Sequence, residues 1–317
     1  MPRVPCHSMT VIVRAVRPED GAAAEGFARV RRAVLPHMIS NAVALTYDLV
    51  HAAPEAHFVL LVAEQDGEII GAATAAVADF SPTPGVGMAN VYVHPERRGR
   101  GAGSLIVRAA EEHLAAHGVR SVFSWVLDEP GYRAFAARRG YQPRRAGHFL
   151  RLDLTDGALP PRPAPAADVT LATGADFADD PRPLFDLDAE TIADEPSDVD
   201  VEFTRYEQWL SDTWRHPLAS PELTTVALVD GRPAAFTLAR TDAGTQYATV
   251  MTGTSRAFRG RGLARLCKSE SLHRARSAGY TVAFTSNDAD NGAMLAINGW
   301  CGYAIAATEV RYVRELG

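Results

Sequence analysis

The residues best suited to chemistry in this 317-residue chain occur twice. HPERRGRGAG fills positions 94–103, and SRAFRGRGLA fills positions 255–264. The first cluster offers Arg98, Gly99, Arg100, Gly101, Ala102, Gly103 and Ser104; the second offers Arg259, Gly260, Arg261, Gly262, Leu263, Ala264 and Arg265. A guanidinium forms forked bonds to phosphate oxygens, and glycine lets an anion approach the main chain closely. Where such a loop opens a helix, converging N–H groups and the helix dipole add partial positive charge. The expected ligand therefore carries phosphate. Neither loop is a dinucleotide fingerprint or a P-loop: the third glycine of GxGxxG and a following Gly-Lys-Ser/Thr are both missing.

The elements that must hold these loops repeat with them. Gly101 and Gly262 are 161 residues apart, and so are Gly118 and Gly279, which are placed to end the helices that follow. Register kept across a whole helix reads as domain duplication, since a solenoid repeat is far shorter. In the first half TVIVRAV alternates like a strand and RPED supplies acidic residues at a helix start. FVLLVAE, QDG and EIIGAATAAVA predict a hairpin turning at Asp-Gly, matched later by TTVALV, DG and RPAAFTLAR. GMANVYV and QYATVMTGT lead into the two loops, and RSVFSWV and YTVAFTS follow the two helices. Pro160, Pro161, Pro163 and Pro165 remove backbone donors from a connector at 155–168. The expected organisation is an α/β chain of α+β type: one domain at 1–154, a proline-rich linker, and a second domain at 169–317, each a mixed, mostly antiparallel sheet flanked by helices.

Arg-x-x-Gly-x-Gly/Ala after a strand such as VYV and before a long helix resembles the acyl-CoA motif of the GNAT (Gcn5-related) N-acetyltransferases, and the likeness covers most of both halves. The resemblance implies two tandem GNAT-like domains. In each, loop amides would hold the pyrophosphate of acetyl-CoA or another acyl-CoA, and the pantetheine arm would run along the preceding strand. By position, those strand contacts are Val91, Tyr92 and Val93 in the first half and Thr252, Gly253 and Thr254 in the second. TSNDADNGAMLAINGWCGY further resembles a segment of actinobacterial members in which Asn287 and Asn291 would bond pantetheine amides or orient the acceptor.

The tyrosine that returns a proton to the CoA thiolate in many members is replaced by Ala136 and Asn298. The catalytic candidates are then Asn291, Asn298 and Tyr132, the last one helical turn before Ala136. Because the reaction that the resemblance implies is direct attack of an amine on a thioester, positioning and carbonyl polarisation can supply most of the acceleration. The retained asparagine segment favours the second half for chemistry and gives the first a binding or vestigial role. Eight acids between Asp186 and Glu202 could attract a cationic amine, or could form a solvated surface. Two functions stay open: an N-acetyltransferase acting on a small amine, and a binder or sensor of acyl-CoA without transfer. Among tandem actinobacterial members the likeness extends to one of the clavulanic acid pathway, hence to antibiotic biosynthesis, and more distantly to mycothiol synthase.

Composition excludes other classes. A net charge of −6 offers nucleic acid no general attraction, and no apolar run approaches the length of a membrane span. Cys6, Cys267 and Cys301 form no CxxC pair, which fits a reducing cytoplasm, and the paired domains fit a monomer. His113 and His117 lie one helical turn apart without a third metal ligand, so no metal site is expected.

Overall fold

In the computed structural model residues 10–155, 159–195 and 205–317 are described. The first half begins with β1 (Ile12–Ala15) and α1 (Gly21–Val34). Asp20 opens that helix as the acidic start predicts, its carboxylate accepting the Ala23 N–H at 2.9 Å. After α2 (Ala42–His51), β2 (Val59–Gln65) and β3 (Glu68–Val77) form the expected hairpin. Its turn residues Asp66 and Gly67 both take positive φ, which is why Asp-Gly stands there. β4 (Val86–Val93), α3 (Ala102–Ala116), β5 (Ser121–Leu127), α4 (Pro130–Ala137) and β6 (Gln142–Asp153) complete this half.

The second half repeats the plan. It runs β7 (Val169–Thr173), α5 (Arg182–Ile192), α6 (Tyr206–Trp209), β8 (Thr225–Val229), β9 (Arg232–Thr241) and β10 (Gln246–Thr254). α7 (Leu263–Ser277), β11 (Val282–Asp288), α8 (Gly292–Cys301) and β12 (Ala304–Glu315) follow.

Helices cover both faces of the sheet, so the middle strands are apolar on both sides. On one face Phe27, Val30 and Val34 of α1 pack with Leu60, Val62, Ala72 and Tyr92. On the other, Ile106, Ala110 and Leu114 of α3 pack with Ala63, Ile70, Ala73 and Ala89. β3 is consequently buried along nearly its whole length.

The twelve strands form one sheet in the order β1-β2-β3-β4-β5-β12-β6-β11-β10-β9-β8-β7. Among the described residues only β4–β5 and β10–β11 pair in parallel. The last strand of each half completes the other half's sheet: β12 pairs with β5, and β6 pairs with β11. β6 and β12 also pair with each other at the centre. Each half of the chain is thus closed by a strand from the other, and residues of β12 face the site of the first half.

The parallel pairs are short, and this creates the site. β4 meets β5 only where Val86, Gly87 and Met88 face Ser121, Val122 and Phe123. Beyond Met88 the strands separate, and the Asn90 side chain accepts the Trp125 N–H at 2.9 Å across the opening. β10 stays paired with β11 only to Thr249 and then bulges against β9.

Candidate functional site

Gly99 and Gly101 take φ of +76° and +88°, a left-handed backbone that only glycine adopts without strain, and a Cβ at either position would meet open space. α3 starts directly after Gly101 with no side-chain cap, so its first-turn N–H groups lack a side-chain acceptor. The loop borders a cavity of about 450 Å³. Val91, Val93, Arg98 and every residue from Gly99 to Ser104 line it. A loop of this build accepts an oxyanion, as the sequence predicts.

A second cavity of about 120 Å³ occupies the opening between β4 and β5. Val91, Tyr132, Phe135 and Arg139 line both cavities, so one path leads from the glycine loop into the sheet. Val91 and Val93 are half-buried along it, while the Tyr92 ring turns to the opposite face and meets Phe27 edge-on at 6.4 Å between ring centres. Of the expected strand contacts, Tyr92 is therefore mainly a core residue. Burial pushes its hydroxyl up to about 12.

Tyr132 sits under the Arg98 guanidinium, 4.5 Å from guanidinium carbon to ring centre, and its hydroxyl is bonded to the same group. Partial burial, against the pull of Arg98, keeps this phenol protonated above its ordinary range. Arg139 stacks on Phe135 at 3.6 Å and donates to the Ser104 hydroxyl. Sequence reasoning missed Phe135, Arg138 and Arg139, all of which line the loop cavity. The Arg-Arg pair directly before Gly140-Tyr141 was the available signal. Arg100 makes no ion pair with another described residue.

The second loop keeps the backbone and changes its surroundings. Gly260 and Gly262 repeat the positive φ, at +77° and +75°. Yet Arg259 and Arg256 both bind the Asp194 carboxylate, the latter at 2.7 Å, and Arg261 binds Asp168 at 2.8 Å. The two guanidiniums, Arg256 first, hold Asp194 down to about 2. Leu263 is buried, and the Arg265 guanidinium stacks over the Trp300 ring at 5.0 Å. Lys268, 161 residues after Val107, stands at the second-half position that corresponds to a wall residue of the first half's cavity. It is 1 % exposed, 3.4 Å from the Thr285 hydroxyl and 5.3 Å from the Tyr303 ring centre. Burial lowers it to about 8.

The asparagine segment has internal partners. Asn291 caps α8, its side-chain oxygen accepting the Met294 N–H at 3.2 Å. Asn298 is fully buried and donates to the side chain of Asn287. Gly253 serves packing: a Cβ there would lie 2.5 Å from the Thr191 hydroxyl of α5. Thr252 bonds Thr237 across the β9–β10 pair at 3.2 Å. Asp188, in the acidic stretch, is a core carboxyl bonded to the Trp209 indole at 2.8 Å, and burial raises it to about 6. Glu190, accepting the Arg256 N–H at 2.7 Å, and Asp194, bound to the arginines, face the second loop, whereas Asp186 and Glu195 are exposed. Asp198, Asp200 and Glu202 lie outside the described residues, as does Cys6. Among the described residues no group of three or more His, Cys, Asp or Glu side chains could hold a metal, and no helix is long and apolar enough to cross a membrane.

The family model for the acetyltransferase (GNAT) family matches residues 31–141, which contain the first glycine loop and all residues lining the cavity it borders. A mycothiol acetyltransferase of Nocardia farcinica is 32 % identical over 263 residues, 80 % of this chain and 81 % of the relative. Another, of Clavibacter michiganensis, is 33 % identical over 80 % of this chain and 79 % of the relative. Among solved structures, a tandem GNAT protein from the clavulanic acid biosynthesis pathway superposes with a TM-score of 0.73 at 22 % identity. That superposition covers 97 % of this chain and 99 % of the other. The fold, the loop geometry and likeness along the chain agree: this protein belongs to the GNAT family and is an N-acetyltransferase.

Proposed function

We propose that this chain transfers an acetyl group from acetyl-CoA to a small amine and that the first half holds the working acetyl-CoA site. The supporting observation is the continuous path from the Gly99–Ser104 loop into the opening between β4 and β5, with Arg98, Arg100 and Arg139 beside it. Backbone amides of the loop and these guanidiniums would hold the pyrophosphate, and Val91 and Val93 would flank the pantetheine arm. Tyr132, protonated where both cavities meet, is the candidate donor of a proton to the leaving thiolate.

This moves the chemistry away from the second half, where the asparagine segment led the sequence reading. Its Arg259 and Arg261 are neutralised by Asp194 and Asp168, and Lys268 stands at the position corresponding to Val107. On this reading the second half completes the sheet and supports the first. The name carried by the relatives makes a mycothiol precursor amine the first acceptor to try. A role in antibiotic biosynthesis rests on fold likeness alone.

Hydrogen exchange with and without acetyl-CoA, paired with thiol release across a panel of amines, tests the proposal. Protection at 99–104 with 260–265 unchanged, and release with at least one amine, is the expected result. Protection confined to 260–265 would return the site to the second half, and binding without release on any amine would favour the acyl-CoA sensor.

A further inference from the structure

A third cavity, of about 250 Å³, lies between the halves and is bounded by β5, β6, β11 and β12. Two residues, Trp125 and Glu309, line both this cavity and the opening between β4 and β5. Glu309 belongs to the exchanged strand β12, where it stands opposite Leu127 of β5 on one side and Gly147 of β6 on the other. A Cβ on Gly147 would lie 3.6 Å from the Trp125 ring and 3.9 Å from Cγ of Glu309, so glycine there leaves room at the junction. The carboxylate makes no hydrogen bond or ion pair with a described residue.

We propose that Glu309 is a catalytic base, delivered by the second half's last strand to the first half's transfer site, and that the cavity between the halves holds the acceptor as a small cationic amine. This rests on the reading that acetyl transfer occurs in the first half.

The surroundings favour a cation with hydrogen-bonding groups. Asn287 and Asn291 supply amides to the wall, and the exposed Glu195 supplies a second carboxyl. Of the two carboxyls, Glu309 is the one that also lines the opening between β4 and β5. From β6 and β11, Arg145 and Asp288 neutralise each other at 2.5 Å. His148 of β6 is bonded to Thr308 of β12 at 3.0 Å, and Arg311 of β12 lies over Phe123 at 4.1 Å. From β4, Tyr92 is a buried neutral phenol, and Tyr132 and Arg139 of the α4 side face the cavity's far wall. Burial raises Glu309 to about 7, where a carboxylate both accepts a proton and releases it.

The proton balance is complete. Glu309 takes one proton from the ammonium, and the freed nitrogen lone pair forms the C–N bond to the thioester carbon. The C–S bond breaks with its electron pair on sulfur, Tyr132 gives its hydroxyl proton to the thiolate, the second nitrogen proton restores the Tyr132 hydroxyl, and Glu309 gives its proton to water.

Two measurements on the full chain test the assignment. Water-soluble carbodiimide with glycine ethyl ester, followed by peptide mapping, is expected to label Glu309 at pH 7, with acetyl-CoA at ten times its Kd suppressing the label about tenfold. Glu309→Gln is expected to slow thiol release with the best panel amine about 100-fold and to remove the rise in rate through pH 7, with acetyl-CoA affinity unchanged. Glu309→Asp, checked by circular dichroism, keeps a carboxylate and is expected to retain a weaker pH-dependent rate; it serves if the Gln variant does not fold. Full activity in the Gln variant overturns the assignment, as does a label that bound acetyl-CoA does not reduce. If no panel amine is turned over, labelling and protection decide. Acetyl-CoA binding that is unaffected by Gly101→Glu would instead overturn the reading of the first half.

Discussion

The two glycine loops share a backbone and differ in what their arginines hold. At the first, Arg98 meets a neutral tyrosine and Arg100 has no acidic partner among the described residues. At the second, Arg259 and Arg261 are each bound to a carboxylate of the same chain. A phosphate arriving at the second loop would have to compete with Asp194 and Asp168, both held below the usual carboxylate range by those arginines. The same contrast runs deeper, where Val107 bounds an opening and Lys268 fills the corresponding place. Duplication preserved the cradle's shape, and the side chains around it decide whether it is free for a ligand.

Several substitutions would break or sharpen that contrast. Arg98→Ala with Arg100→Ala should weaken acetyl-CoA binding by about 100-fold, whereas Arg259→Ala with Arg261→Ala should change it less than about twofold. Calorimetric titration of both double variants would show whether the halves differ as stated. Next, Val107→Lys should place a long side chain against the opening and cost about tenfold in affinity, since a packed wall has no space for it. Equal affinity for wild type and variant would mean that the ligand takes another path.

The buried lysine gives a stability test. Its folded value is lowered from the ordinary range to about 8, so the charged form is disfavoured in the native state and the cost grows as pH falls from above 10 toward 8. Lys268→Met should therefore raise stability at pH 7 by about 2 kcal/mol, with the gain shrinking above pH 10. Urea unfolding at the two pH values measures it; a loss of stability at pH 7 would show that the ammonium is needed where it stands. For Glu309 the sign is the reverse. A carboxyl raised to about 7 costs stability as pH rises through that value, so Glu309→Gln should gain about 1 kcal/mol at pH 8 and almost nothing at pH 4. Thermal melts of both proteins across that range would show a difference that grows with pH, or would contradict the burial argument.

The loops were legible in the sequence because their causes are local. Gly99, Gly101, Gly260 and Gly262 are where a strand must turn into a helix with positive φ, and Asp66-Gly67 and Asp230-Gly231 mark hairpins for the same reason. The 161-residue register carried the repeated architecture. What was not legible depends on residues far apart in the chain. Nothing in RAFRGRG announces that Asp168 lies 93 residues away against Arg261. The exchange of β6 and β12 was equally hidden, because AIAATEVRYV alternates as any half-buried strand would, whichever half it joins. Glu309 looks there like a solvent-facing residue; only the pairing with Leu127 and Gly147 brings it to the site. Asn291 and Asn298 invited a chemical role by spacing, and the fold employs one as a helix cap and the other as a buried partner of Asn287.

The central claim is that one loop of the two is open to acetyl-CoA. Isothermal titration of the wild-type chain, Gly101→Glu and Gly262→Glu tests it under one set of conditions, since both substitutions impose the same backbone strain and the same added carboxylate. One site per chain, abolished by Gly101→Glu and kept by Gly262→Glu, is the predicted result. Two sites in the wild type, or a single site lost only with Gly262→Glu, would contradict it.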